Sequence, residues 1–365
     1  MSTVTVSSSA LANGGQASQA KRWALRILFV GVLLYLPMVL TTRSIFGIPL
    51  SNMQLLNLGL TQMNVMMIMM IGALSLNYLT GVAGLISIGH AAFYAVGAMT
   101  AAIFGTQFGL PFPVALVAAT IIGALAGVIA GLPSLRVRGL YFVLSTMALH
   151  YIVVFLFQEY QFKVFDVVGV PYKPALLGSF ELSTQIRWYF FLLPIVALIY
   201  FGLRNSLQSR EGRTLIAMRD HELAATSVGA DVRILRLKTF ALTSAIASFG
   251  GALYAYYLSN VNAETFGIQF AIQFIAMIIV GGMGSLRGSM VGAGLWLLLP
   301  SIISGFASQL GSSTGLVRYV IVDHKAQLVQ IIFSLIVIVL LIYAPGGISG
   351  LYHQLRDRLA TGRRS

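Results

Sequence analysis

SIFGIPLSNMQLLNLGLTQMNVMMIMMIGALSLNYLTGVAGLISIGHAAFYAVGAMTAAIFGTQFGLPFPVALVAATIIGALAGVIAGLPSL, residues 44–135, contains no Lys, Arg, Asp or Glu. A soluble domain carries about one charged residue in four, so a run this long has no aqueous face and reads as membrane-embedded. A helix needs roughly 20 apolar residues to cross the hydrocarbon core, and the run holds three such spans with their turns. The whole chain follows suit: of 365 residues 58% are hydrophobic and 9% charged, and the mean hydropathy is +0.87. Further uncharged runs cover 139–158, 188–203, 239–263, 265–286, 288–317 and 326–355. They lack the alternation of barrel strands, and helices satisfy their own backbone in lipid. The expectation is an all-α polytopic membrane bundle of about ten transmembrane helices, at 25–42, 55–76, 85–105, 113–132, 140–158, 187–203, 239–258, 266–281, 288–306 and 326–343.

Around this membrane domain, 21–345, the uncharged, Ser-, Ala- and Gly-rich residues 1–20 read as a disordered cytoplasmic tail, and 346–365 as a basic cytoplasmic tail. No clear small-x-small cleavage site precedes Arg43, so the first apolar stretch is expected to be an uncleaved span rather than a signal peptide. The net charge of +13 invites a nucleic-acid reading, but placement decides against it. With a cytoplasmic N-terminus, only Arg43, Lys163, Lys173, Arg187, Arg318 and Lys325 of the 23 Lys and Arg fall outside, while the ten acids divide evenly. That is the positive-inside bias of a membrane protein with both termini in the cytoplasm, and no nucleic-acid partner is expected.

The absence of Cys removes thiolate metal sites, disulfides and cysteine nucleophiles together. Gly123, Gly127 and Gly131 repeat every four residues and so share a helix face that lets another backbone come close; Gly288 and Gly292 follow the same logic. Uncharged polar residues gather in the second and third spans, among them Asn64, Asn77, Ser87 and His90, and Gln269 and Gln273 share a face further on. Polar groups in lipid face the protein interior, where they either line a translocation path or bond helix to helix. His90, between Gly89 and Ala91 with no acid nearby in sequence, reads as a structural hydrogen-bonder rather than a base or ligand. The histidines have no metal-ligand spacing, and the acids sit at loops or span edges, so no catalytic set and no metal site is expected. There is no GxxxxGK[ST] loop either, so the chain does not itself hydrolyse ATP, and no cofactor is expected on it.

The largest cytoplasmic segment is RNSLQSREGRTLIAMRDHELAATSVGADVRILRLK, 204–238. A short helix with a glycine break, flanked by cations, on a chain with no motor of its own, is better explained as a docking element than as a solvated loop. Here a resemblance becomes specific. The run from Glu211 to Pro300, with NYLTGVAGLISIGHAAFYAVGAMTAA at 77–102 and RVRGLYFVLSTMALHYIV at 136–153, resembles the second permease subunit of branched-chain amino-acid ABC importers. In ABC importers a cytoplasmic EAAxxxG motif forms a coupling helix that docks on the ATPase. The resemblance places that helix at Leu223, Ala224, Ala225 and Gly229, with the acid displaced to Glu222 and with Arg219 and Asp220 beside it. It implies a paralogous second permease subunit, two ATP-binding subunits that hold the ATP, an extracytoplasmic solute-binding protein and a place among the lipids of the bacterial inner membrane. It also implies branched-chain amino acids as cargo, although related permeases carry urea, amides or aromatic acids. An ion-coupled secondary transporter is the alternative, but no expected span holds an acid, and Glu264 lies at an outer edge.

Overall fold

The computed structural model describes residues 59–137, 139–165, 169–178, 180–227, 229–309, 325–343 and 346–351, with isolated positions before residue 50. The first expected span and both terminal tails lie largely outside the described residues. From residue 59 onward a helix stands wherever a span is expected: α1 Leu60–Leu76, α2 His90–Ala102, α3 Phe112–Gly131, α4 Leu140–Phe165, α5 Gln185–Gln208, then α8 Val232–Leu258, α9 Ile268–Gly281, α10 Leu286–Gln309 and α11 Lys325–Tyr343. Between α5 and α8 lie two short helices, α6 Arg210–Asp220 and α7 Glu222–Ser227. Four described helical segments are long and apolar enough to cross a membrane: Leu60–Val82, Phe112–Leu135, Leu140–Val164 and Gln185–Gln208. Ile268–Gly281 and Leu286–Ile302 are shorter apolar helices.

α1 carries apolar residues on every face, the pattern of a largely buried helix, and it runs through the bundle against α5, α8 and α10. Ile68, Ile71, Ala73, Leu74 and Leu76 are fully buried. At its end the helix widens into a π-turn, Asn77–Val82. α8 lies alongside α3, α2 and α1. Its contact with α3 is the most extensive between described helices and follows from the glycine spacing. A Cβ on Gly127 would lie 2.7 Å from the Phe240 carbonyl oxygen and closer still to the Ser244 side chain, and one on Gly123 would run into Ser248. Ser248 Oγ in turn donates to the Phe93 carbonyl at 2.8 Å, joining α2 to the same seam. Gly288 and Gly292 repeat the device, bringing α10 against the backbone of α9 at Gly281 and Met277.

Several expected boundaries shift by five to seven residues: α2 starts at His90 rather than 85, α4 runs on to Phe165 rather than 158, and α5 to Gln208 rather than 203. α8 starts at Val232 rather than 239, because Asp231 Oδ1 accepts from the Arg233 and Ile234 N–H groups at 3.1 and 3.2 Å and so fixes the first turn. The cations Arg233, Arg236 and Lys238 therefore ride on a helix instead of a loop.

Segments expected on one side of the membrane meet at one end of the bundle. At one end Val170–Pro171 pairs antiparallel with Asn260–Val261, the Ala263 N–H donates to Gln161 Oε1 at 3.0 Å, and Asn64 reaches Gln185. At the other end the turn 282–285 meets Asn77 and Ser349.

Candidate functional site

The segment joining α5 to α8 is built from caps and charges. Ser209 Oγ accepts from the Gly212 N–H at 3.2 Å and opens α6, whose Leu215 and Met218 are buried against the bundle. His221, in extended conformation with φ −150°, breaks the helix, and α7 follows for 6 residues. Leu223 on α7 is 81% exposed while Ala225 is buried, so the short helix presents one face outward and lays the other on the bundle. The side chain of Ala224 lies outside the described residues. Gly229 closes the segment with φ +86°, a left-handed conformation that suits glycine, and a Cβ built there meets nothing within 4 Å. A cleft of about 990 Å³ opens between α6 and the start of α8, lined by Arg210, Arg213, Thr214, Ala225, Gly229 and Ile234 among others.

Two arginines tether this segment. Arg219 Nη1 donates to the Gly81 carbonyl in the π-turn at 2.8 Å, while its Nη2 pairs with Asp220 Oδ1 at 3.0 Å; its side chain is 40% exposed. Arg236 on α8 lies deeper. Its Nη2 pairs with Glu222 Oε2 at 2.8 Å and its Nη1 donates to the Ser134 carbonyl at 2.9 Å, with the two side chains 10% and 23% exposed. Glu222 thus points back into the protein, whereas Asp220 stays at the surface. Sequence reasoning overlooked Arg236, Ser134 and Gly81. The available signal was a cation one turn into a helix capped by Asp231, which the charge count absorbed into the positive-inside bias.

The polar residues of the spans are dispersed. Asn64, fully buried, donates from Nδ2 to the Gln185 carbonyl at 2.9 Å and to Gln185 Oε1 at 3.2 Å, near Tyr257. Asn77 lies at the opposite end of α1, where its Oδ1 accepts from the Gly284 N–H and its Nδ2 donates to the Ser285 carbonyl, both at 2.8 Å. His90 starts α2 and bonds through Nε2 to Ser75 Oγ at 2.8 Å; Ser75 donates onward to the Gly72 carbonyl. Ser87 is buried in the loop before α2. Gln269 is exposed and Gln273 half-buried on α9, one turn apart. Asn64, Asn77 and His90 therefore bond one helix to another segment, and only the two glutamines share an outward-facing stripe.

Comparison with known proteins gives this arrangement a context. The family model described as the branched-chain amino acid transport system permease component matches residues 59–345. The chain is 30% identical over 248 residues to the high-affinity branched-chain amino acid transport system permease protein LivM of Escherichia coli (strain K12), covering 60% of this chain and 57% of that protein. It is 26% identical over 189 residues to a probable LivM of Methanocaldococcus jannaschii, covering 50% and 53%. A probable LivH permease of the same organism is 26% identical over 224 residues, covering 60% and 67%. The chain thus spans only a little over half the length of the two LivM proteins. No solved structure matches it. With a family match that takes in the bundle from α1 to the end of α11, this multi-pass helical membrane protein belongs to the branched-chain amino acid transport system permease family.

Proposed function

We propose that the chain is the membrane-spanning permease subunit of an ATP-driven importer that moves a small amino acid of the branched-chain class across the bacterial inner membrane. It works beside a paralogous second permease subunit, with two ATP-binding subunits on the cytoplasmic side and a solute-binding protein outside, and both its termini are cytoplasmic. The observation that carries the reading is the segment 209–231: an apolar Leu223 displayed on a short helix, ended by a left-handed glycine, in a permease without a nucleotide-binding loop. Leu223 and Gly229, with Ala224 beside them, form the face that docks the ATPase, with Asp220 and Arg219 at its rim and Glu222 and the buried Ala225 fixing it from behind. ATP binding at the partners shifts the permease between inward- and outward-facing states, provided those states hold the ATPases differently.

Of the polar candidates for the path, Gln269 and Gln273 are best placed, because the side chains of Asn64, Asn77 and His90 already hold neighbouring elements; Ser87 lies at the entry to α2. The test is uptake of radiolabelled leucine into vesicles bearing the whole complex, with ATP supplied or withheld and with proton and sodium gradients dissipated. Uptake that follows ATP and survives loss of both gradients is expected. Uptake that follows a gradient without ATP would establish the ion-coupled alternative.

A further inference from the structure

We infer that Arg236 is a positioning residue that makes the short helix α7 move as one body with α3 and α8, so that a displacement of α7 is passed to the membrane helices through its guanidinium. Three stretches of chain converge on it. Glu222 brings α7, the Ser134 carbonyl brings the turn Leu132–Leu135 that ends α3, and the side chain itself belongs to α8. The forked geometry of a guanidinium serves both acceptors at once, which a lysine ammonium on a flexible stem does less well.

The other side of the joint is already rigid. α3 and α8 touch through Gly123 and Gly127 with backbone and serine atoms in place of long side chains, leaving no slack for sliding. Among the described side chains of α7 there is no comparable packing: Ala225 is the buried apolar one, Leu223 faces out, and Thr226 and Ser227 spend their hydroxyls on carbonyls of α7 itself. The Arg219 tether is a weaker candidate, since the Arg219–Asp220 pair is exposed to water on both members and joins neighbours in sequence. An ion pair withdrawn from water interacts through a lower dielectric, and its geometry is fixed here by a second acceptor.

The delivery of motion rests on the function proposed above; the rigid attachment does not, and the two are tested separately. The chain lacks cysteine, so Leu223→Cys gives a single site for a nitroxide label in the full-length protein in lipid nanodiscs. Glu222→Gln and Arg236→Lys are each expected to raise the mobile fraction of the label at least twofold, with no further rise in the double variant, while Arg219→Ala leaves it within about a fifth of the parent. Glu222→Gln keeps the side-chain shape and a carbonyl acceptor, which guards the fold. Unchanged mobility in both single variants would overturn the attachment.

The second measurement uses the whole complex in vesicles and reads ATP hydrolysed per leucine imported. A rise of fivefold or more in Glu222→Gln and Arg236→Lys, with the ATPase subunits still copurifying, is expected. An unchanged ratio alongside a mobilised label would overturn the role in delivering motion. If the parent complex imports leucine without ATP, the functional reading fails instead, and the label alone decides the attachment.

Discussion

The seam between α3 and α8 and the segment from α6 to α7 are held by opposite means, although α8 takes part in both. In the seam, Gly123 and Gly127 face Ser248, Ser244 and the Phe240 carbonyl, and along it the helices are joined by close contact. Between helices in lipid there is no hydrophobic drive toward association, so stability comes from close approach, and small residues permit it. In the α6–α7 segment, water is available and a few directed bonds do the holding: the Ser209 and Asp231 caps, the Arg219 and Arg236 tethers, the left-handed Gly229. The first region should fail when atoms are added, the second when a partner atom is removed or a local backbone conformation is denied.

The largest effect is expected at the seam. Gly127→Leu places carbon where the Ser244 side chain and the Phe240 carbonyl already are, and overpacking that forces backbone apart should cost about 3 kcal/mol or more. The yield of monodisperse protein in detergent should collapse; a parent-like yield and melting temperature would mean that the two helices can part without loss.

Asn77→Leu comes next and crosses the boundary between the two regimes, since Asn77 is a directed bond inside the bundle. The change strips partners from the part-buried Gly284 N–H and Ser285 carbonyl, and leaving them unpaired should cost about 1 to 2 kcal/mol, read as a fall in melting temperature with the protein still folded.

Gly229→Leu should be milder for the fold, at about 1 kcal/mol of left-handed strain, because the space around it is open. Its effect should show in partnership instead: loss of copurifying ATPase subunits from a normally inserted permease. Retention of the ATPases together with normal uptake would remove Gly229 from the proposed docking face.

The smallest change is expected for Arg219→Ala. Its ion pair with Asp220 is exposed, and such pairs contribute less than about 1 kcal/mol, diminishing with salt. A deficit that persists in high salt would show that the bond to the Gly81 carbonyl matters more than the charge.

Much of the fold is legible from where charge is missing, since the bilayer tolerates little else, and the GALAGVIAG spacing announces a close helix contact before any partner is known. Which helix it meets was not legible: α8 offers Phe240, Ser244 and Ser248, whose spacing of four carries no distinctive composition. The roles of the polar residues were harder still. Asn77 looks the same in sequence whether it lines a path or clasps a turn, because the distinction lies in Gly284 and Ser285, more than 200 residues away. Arg236 was hidden for a related reason. A count of cations by side treats it like Arg233, and only tertiary packing separates the exposed one from the one that meets Glu222 and Ser134.

The brevity of α9 has a consequence for the surrounding lipid. Its 14 residues rise about 21 Å, short of the roughly 30 Å hydrocarbon thickness, and its C-terminal end passes straight into the glycine turn that Asn77 clasps. Hydrophobic mismatch of this kind is met by thinning the bilayer or by covering the exposed backbone with protein. Acyl-chain length is therefore a variable to which this corner of the permease responds: thick membranes should press on the turn 282–285, and reconstitution in lipids of graded length should alter its accessibility before that of the longer spans α3, α4 and α5.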